Sequence, residues 1–175
     1  ATIKELIAEN YLVDCDIYAP SEPDLKDVKI VAGDYNESQL GEAVDRPELF
    51  GDIVVHWFKF ANMRQTVIFA TNIPHSKHIV ESFLAAGISA EHIYYHDDDE
   101  TRTAKLERFA RGETKILSNC SLLSEGWDCP STEVMILARP TRSLIRFIQM
   151  VGRVLRPFDG KSKALLLDHS GSTAR

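Results

Sequence analysis

Short apolar runs that alternate with segments of helical periodicity restrict the fold of this chain more than any other feature of its sequence. Residues 66–69 read Thr-Val-Ile-Phe and residues 134–137 read Val-Met-Ile-Leu, and neither run alternates with polar residues. Strands that are apolar on both faces occur in parallel sheets that helices cover on both sides. The pattern therefore predicts an α/β fold with a mostly parallel sheet.

Proline and glycine mark the expected helices between these strands. Asp45 is expected to cap a helix whose first turn contains Pro47. Pro74 is expected to start a second helix, which Gly87 stops. The other expected elements are a helix that ends at Gly112, a helix from about Arg142 to Val151, and strands at residues 11–18, 27–31, 93–95, 115–117 and 164–167.

The net charge of −6 over 175 residues would by itself disfavour nucleic acid as a partner. The distribution of charge changes that conclusion, because only Asp159 interrupts a long basic run near the end of the chain. The run consists of Arg139, Arg142, Arg146, Arg153, Arg156, Lys161 and Lys163. We therefore expect one domain with a local basic face.

Several classes of protein are disfavoured by the sequence. The three cysteines lack metal-ligand spacing and indicate reduced thiols in a cytoplasmic protein. No apolar run reaches the ~18 residues of a membrane span. His75 and His78 lie three positions apart without an evident third ligand, so no metal site is expected. The acidic residues 97–100 are interpreted as a solvated helix start rather than a magnesium site.

The segment from residue 142 to residue 156 combines two stripes at helical spacing. Leu144, Phe147, Ile148 and Val151 are expected to form its buried stripe. The second stripe consists of Arg142, Arg146, Gln149, Arg153 and Arg156. It contains no acid for i,i+4 pairing, and the planar fork of arginine suits phosphate oxygens. An external anion and an ordinary solvated basic face are both compatible with this pattern.

Residues 149–156, Gln-Met-Val-Gly-Arg-Val-Leu-Arg, resemble the Q-x-x-G-R-x-x-R motif VI of superfamily 2 helicases. Residues 123–130, Leu-Ser-Glu-Gly-Trp-Asp-Cys-Pro, resemble motif V, and residues 66–71 lie where motif IV is expected. The resemblance covers about residues 62–170 and is strongest to phage and prophage helicases of the DEAD/DEAH type. It implies a RecA-like three-layer sandwich, related to P-loop NTPases but without its own P-loop.

The resemblance also divides the chain and assigns it a partner. Residues 1–61 resemble the segment that connects two lobes, and residues 62–175 resemble the helicase C-terminal RecA-like domain, the two forming one compact unit. In the family, ATP lies between this lobe and a first lobe, which supplies the phosphate-binding loop and the acids that hold Mg²⁺. The isolated chain is therefore expected to hydrolyse little ATP, and the full-length protein to be an ATP-dependent motor.

The same resemblance implies roles at the nucleotide. Arg156 corresponds to the arginine finger and Arg153 to its partner at the triphosphate. Gly152 would let the backbone approach closely, and Gln149 would couple the nucleotide and nucleic-acid sites. Asp128 would accept hydrogen bonds from the ribose or from a motif VI arginine, although a helix cap or a structural salt bridge explains it equally well. In the same motif, Gly126 would supply a tight turn.

Five residues at strand ends are implied to face a nucleic-acid backbone. They are Thr71, Asn72, His75, Asn119 and Cys120. Short polar side chains and backbone N–H groups suit phosphate contact, but ordinary loop chemistry is the competing explanation. Cys120 stands where many relatives have threonine, and a thiol is a weak hydrogen-bond donor.

The predicted function is the second motor lobe of a helicase or translocase, with DNA favoured over RNA. One alternative is a non-catalytic module that binds nucleic acid or protein. A second alternative is a duplex translocase subunit of a restriction or repair complex.

Overall fold

A six-stranded parallel sheet forms the centre of the computed structural model, which describes residues 2–120 and 127–174. The strand order is β1-β8-β7-β4-β6-β5, and every adjacent pair is parallel. Two short strands, β2 and β3, pair separately as an antiparallel hairpin. The strands are β1 (Asp14–Tyr18), β2 (Ile30–Val31), β3 (Asp34–Tyr35), β4 (Thr66–Phe69), β5 (Ala90–Ile93), β6 (Ile116–Asn119), β7 (Val134–Leu137) and β8 (Lys163–Asp168).

Helices cover both faces of the sheet and create two separate cores. The helices are α1 (Ile3–Ala8), α2 (Glu37–Val44), α3 (Pro47–Phe60), α4 (Ile73–Ala85), α5 (Asp99–Ala110) and α6 (Leu144–Val154). One core joins Ile68 of the sheet to Trp57 of α3 and neighbouring apolar residues of α4. The other joins Val67 and Phe69 to Phe109 of α5 and apolar residues of α6. Alternate residues of β4 therefore belong to different cores, which makes the fold a three-layer sandwich.

The strands that are apolar throughout agree with the sequence pattern most closely. β4 and β7 have the predicted limits, and all of their residues are buried. Trp57 connects α3 to the start of β4, because its indole Nε1 donates to Thr66 Oγ1 at 2.7 Å. This hydrogen bond satisfies the polar atom of a fully buried aromatic residue. Among the described residues, no helix has the length and apolar character needed to cross a membrane.

Several predicted limits shift by a few residues, two local predictions differ more clearly from the structure, and one helix was not predicted. The strand expected at residues 93–95 lies earlier, at Ala90–Ile93, because Tyr94 N donates to Asp97 Oδ2 at 3.1 Å in the turn that follows. Asp45 does not cap α3, since its carboxylate accepts a hydrogen bond from His78 Nδ1 at 2.7 Å. Helix α2 was not predicted, because its apolar side consists mainly of Leu40 and Val44.

The buried stripe of α6 also differs from the prediction. Leu144 and Ile148 are 68% and 48% exposed, whereas Met150 and Val154 are buried. The helix carries two adjacent apolar arcs, and the arc that continues into its C-terminal half packs on the sheet. By contrast, the acidic residues 97–100 do mark a helix start, because Asp98 caps α5 by accepting from Thr101 N.

Candidate functional site

The carboxyl ends of the three central strands, β7, β4 and β6, lie side by side. Ala70 N donates to Asn119 O at 2.7 Å, and Ala138 N donates to Phe69 O at 3.0 Å, so the hydrogen-bond ladder continues to the last residues of these strands. Ligands of open parallel sheets bind at this edge. The residues that follow the three strands therefore define one candidate surface.

Two of the predicted nucleic-acid residues fix the junction between β4 and α4. Asn72 caps α4, because its Oδ1 accepts from His75 N at 2.9 Å. His75 is 1% exposed, and its Nδ1 accepts from Thr71 N at 3.3 Å. Burial lowers the pKa of His75 to about 4, so the ring is neutral near pH 7. Its side chain holds the turn rather than facing solvent.

Burial restricts which of the five predicted residues could contact a nucleic acid through a side chain. The side chains of Thr71, His75 and Asn119 are buried. Asn119 Nδ2 donates to Ile68 O at 2.9 Å and so ties β6 to β4. Only Asn72 and Cys120 are partly exposed, and burial raises the pKa of the Cys120 thiol. The nucleic-acid contact therefore stays a prediction for all five residues, and Asn72 and Cys120 are the two whose side chains are exposed enough to make it.

Arg139 is a buried cation at the end of β7 that the sequence did not identify as a site residue. Its side chain is 6% exposed, its Nη1 donates to Thr71 O at 3.2 Å, and its Nη2 pairs with Glu37 Oε1 at 3.3 Å. Burial lowers its pKa from the ordinary value. Arg139 thus joins the end of β7, the end of β4 and the first turn of α2.

Asp34 of β3 was also missed, although it contacts the start of α6. Its carboxylate accepts from the Thr141 hydroxyl and the Arg142 backbone at 2.8 Å each, and from Arg146 Nη1 at 3.2 Å. Burial opposes its ionisation, but these hydrogen bonds outweigh burial and lower the pKa of Asp34. The only local signal was the Gly33-Asp34 turn, which cannot show a partner more than a hundred residues away.

The arginines of α6 have partners that lie outside the helix. Arg156 Nη1 lies 2.6 Å from Asp128 Oδ1, and Arg153 Nη1 donates to Trp127 O at 2.6 Å. With the Arg146–Asp34 pair, this means that most arginines of the basic stripe have a partner within the chain. The sequence alone had suggested that they are unpaired. The i,i+4 spacing of charges could not predict these partners, because they come from distant segments of the chain. Gly126 falls outside the described residues.

The Arg156–Asp128 pair is accessible enough to exchange partners. The side chains are 42% and 53% exposed. Exposed ion pairs of this kind contribute ~0–1 kcal/mol, which is much less than a bidentate contact with a phosphate group can provide. Arg156 is therefore held near the surface by a weak interaction that a polyanion can displace.

The last turns of α6 present an open surface around these arginines. Gln149 is exposed, and none of the described atoms lies within 4 Å of a Cβ built on Gly152. Packing among the described residues therefore does not require a glycine at this position, and the role that the resemblance implies for Gly152 stays a prediction. Within residues 2–120 and 127–174, no cluster of three His, Cys, Asp or Glu side chains could hold a metal ion.

The family model of the helicase conserved C-terminal domain matches residues 46–157. This chain belongs to that family, and it is a RecA-like C-terminal domain of the superfamily 2 helicases of the DEAD/DEAH type. The match confirms both the resemblance found in motifs V and VI and the predicted fold class.

Similarity to individual proteins extends over nearly the whole chain. A 51.5 kDa protein of a Lactococcus phage (isolate 7-9) is 31% identical over 168 residues, which cover 96% of this chain and 37% of the phage protein. IRC3 of Saccharomyces cerevisiae, whose name describes an ATP-dependent helicase, is 28% identical and covers 98% of this chain with 26% of its own length. The chain thus corresponds to one part of two longer proteins.

A solved structure supports the same fold. The C-terminal domain of the DEAD-box protein Dbp5 has a TM-score of 0.62 to this chain, with coverage of 95% of this chain and 81% of that domain. The sequence identity is 12%, so this likeness concerns the fold alone.

Proposed function

We propose that this chain is the second motor lobe of an ATP-dependent helicase or translocase and that Arg156 and Arg153 act on ATP held between two lobes. The observation that carries the proposal is the placement of both guanidinium groups at the C-terminal end of α6, beside Asp128 and around the open surface at Gly152. ATP use is supported by the family and by the name of the yeast relative.

The residues present fit one side of a triphosphate. Bound ATP would supply the phosphoryl group whose transfer drives the motor, and such transfer depends mainly on positioning and on charge stabilisation. Arg156 would exchange Asp128 for phosphate oxygens, because its present ion pair is exposed and weak. Asp128 would then be available to accept a hydrogen bond from a ribose hydroxyl.

Other parts of the nucleotide site would come from a first lobe. The helicase family motifs imply that the first lobe carries the phosphate-binding loop and the acids that hold Mg²⁺, and we propose the same arrangement here. Gln149 is exposed on the same side of α6 as Gly152, where it would contact the first lobe. We propose that it couples nucleotide binding to nucleic-acid binding.

Nucleic acid would lie along the carboxyl edge of the central strands. Asn72 and Cys120 would contact the phosphate backbone there, and the N-terminal end of α4 would add the positive end of its helix dipole. We propose DNA rather than RNA as the substrate. Parallel measurements of ATP turnover with single-stranded DNA, duplex DNA and RNA of equal length would test this choice.

Replacement of Arg156 tests the nucleotide role. In the protein that joins this chain to its first lobe, Arg156→Ala should lower kcat for ATP hydrolysis by ~10³–10⁵, the range of other arginine fingers. Affinity for nucleic acid should stay within about twofold, because the residue lies away from the proposed backbone contacts.

Arg111→Ala is the matched control, because Arg111 is 58% exposed at the end of α5 and also pairs with a surface acid, Glu113. Its turnover should equal that of the unsubstituted protein. Normal hydrolysis by Arg156→Ala would refute the assignment and favour a binding module without a catalytic role.

A further inference from the structure

Asp34 concentrates four hydrogen bonds on one carboxylate. Three come from Thr141, Arg142 and Arg146, as described above, and the fourth comes from Tyr35 N at 2.9 Å. The first three donors lie 107 to 112 positions further along the chain. They belong to the loop that leads into α6 and to its first turn, so one residue of the β2–β3 hairpin contacts the start of α6, whose N-cap is Ser143.

The contact is well protected and suited to hold a helix in place. The side chain of Asp34 is 19% exposed, and its bonds to Arg142 and Arg146 are charge-assisted. A carboxylate at the N-terminal end of a helix is further stabilised by the helix dipole. The alternation of apolar and polar residues does not predict that Asp34 lies in a core. Its burial therefore reflects this polar contact.

A second connection restrains the same part of the chain. Glu37 begins α2, three residues after Asp34, and pairs with the buried Arg139 at 3.3 Å. The hairpin and α2 are therefore tied both to the end of β7 and to the start of α6. Because the contacts of Asp34 and Glu37 lie only three residues apart in the sequence, together they restrict the rotation of this segment as well as its translation.

The geometry of a helix turns this restraint into control of its far end. Helix α6 runs from Leu144 to Val154, so at about 1.5 Å per residue its ends are about 15 Å apart, and Arg156 follows two residues later. A tilt of about 4° about the Asp34 contact would move the C-terminal end of α6, and with it Arg153, by about 1 Å. A displacement of about 1 Å can cost about 100-fold in rate when it misplaces a catalytic group.

We propose that Asp34 is a positioning residue that sets the location of Arg153 and Arg156 through helix α6. This inference rests on the proposed function, in which those two arginines act on the phosphates of ATP. Asp34 itself contacts neither arginine among its hydrogen-bond partners and acts only through the helix.

Asp34→Asn is the first test, because asparagine has nearly the same shape but loses the charge opposite Arg146. In the protein with both lobes, kcat per folded molecule, measured well below the unfolding temperature, should fall at least tenfold. KM for ATP and affinity for nucleic acid should change by less than about threefold. Asp27→Asn, at an exposed aspartate of the same segment, is the control and should change none of these quantities.

A double-variant cycle separates positioning from general stabilisation. The probe is affinity for ADP with aluminium fluoride, a mimic of the transferring phosphoryl group, compared with affinity for ADP alone. With Arg156 intact, Asp34→Asn should weaken binding of the mimic at least tenfold. In the Arg156→Lys background, it should weaken binding less than twofold. An equal loss in both backgrounds, or no loss in either, would overturn the inference.

Arg146→Gln breaks the same ion pair from the other side and serves if Asp34→Asn does not fold. It should give the same pattern of mimic binding. The two proposals fail differently: normal turnover by Arg156→Lys and Arg156→Ala removes the proposed function, whereas impaired turnover by those variants with normal turnover by Asp34→Asn and Arg146→Gln removes only the role of Asp34.

Discussion

Gly41 of α2 and Asn72, the cap of α4, pack so closely that a side chain at position 41 has no room. A Cβ added to Gly41 would overlap Asn72 Nδ2. The amide of Asn72 would have to move, and its hydrogen bond from His75 N would be lost or distorted. One small residue thus keeps the turn at the carboxyl end of β4 intact.

Gly41→Ala is therefore expected to destabilise the protein even though alanine favours helices. Loss of a helix cap costs ~1 kcal/mol, which roughly offsets the gain in helix propensity, and the overlap itself adds ~1–3 kcal/mol of overpacking strain. Urea unfolding should show a lower free energy of unfolding. Gly51→Ala in α3 is the control, because nothing described lies within 4 Å of its added Cβ, and it should be stabilising by up to ~1 kcal/mol. A stabilised Gly41→Ala variant would contradict this packing.

Local sequence patterns select candidate residues, whose roles stay predictions, and do not reveal contacts between distant parts of the chain. Arg153 and Arg156 were selected because a motif and a helical spacing coincide. Asp34 and Arg139 were missed because their contacts span 107 and 68 positions, and no local pattern records such a pairing. Asp45 was predicted to cap α3, but its carboxylate accepts a hydrogen bond from His78 of α4 instead.

Among secondary-structure elements, the central strands were the most predictable. β4 and β7 are buried on both faces, so every residue is apolar or hydrogen-bonded and the limits are sharp. The edge strand β5 carries Glu91 and His92, which are partly exposed, and its limits were misplaced. In α6 the sequence contains two adjacent apolar arcs, so the pattern alone does not predict which arc faces the sheet. Packing against the sheet determines which arc is buried.

Two buried histidines, His75 and His169, lie in or next to the connections between elements, and their lowered pKa values predict that the fold loses stability in acid. Burial lowers the pKa of His169, after β8, to about 4, with a smaller contribution from nearby His56. Its Nδ1 lies 3.0 Å from Ser21 Oγ, which ties the N-terminal segment to this strand end. An unfolded histidine titrates near 6.5, so the unfolded state takes up protons that the folded state does not.

Stability should therefore fall as the pH decreases from about 6.5 to about 4, by at most ~1.4 kcal/mol per pH unit for each buried histidine. His169→Asn should reduce this slope, because asparagine does not titrate. His96→Asn, at an exposed site, should leave it unchanged. Urea unfolding at several pH values measures the slope, and an equal slope for His169→Asn and the unsubstituted chain would show that His169 is not responsible.

Under the proposed function, the molecule as a whole provides one side of a nucleotide site that it shares with a first lobe. Arg153 and Arg156 would act on phosphates that the first lobe holds. The isolated chain should then show no ATP turnover above that of Arg156→Ala, with or without nucleic acid. A phosphate-release assay at micromolar protein measures this, and clear stimulation by DNA in the isolated chain would contradict the two-lobe proposal. The division of the chain at residue 61 stays a prediction.

The assignment of alternate residues of β4 to different cores has a consequence for how such a lobe can change over evolutionary time. Insertion of a single residue within β4 would exchange Val67 and Phe69 with Ile68 and bring each core the wrong volumes. Cys120 lies just beyond the last buried residue of β6 and is partly exposed, so a substitution there should leave both cores unchanged. We therefore expect the positions after the strands, rather than the strands themselves, to be where such a lobe can alter its contacts while its scaffold stays the same.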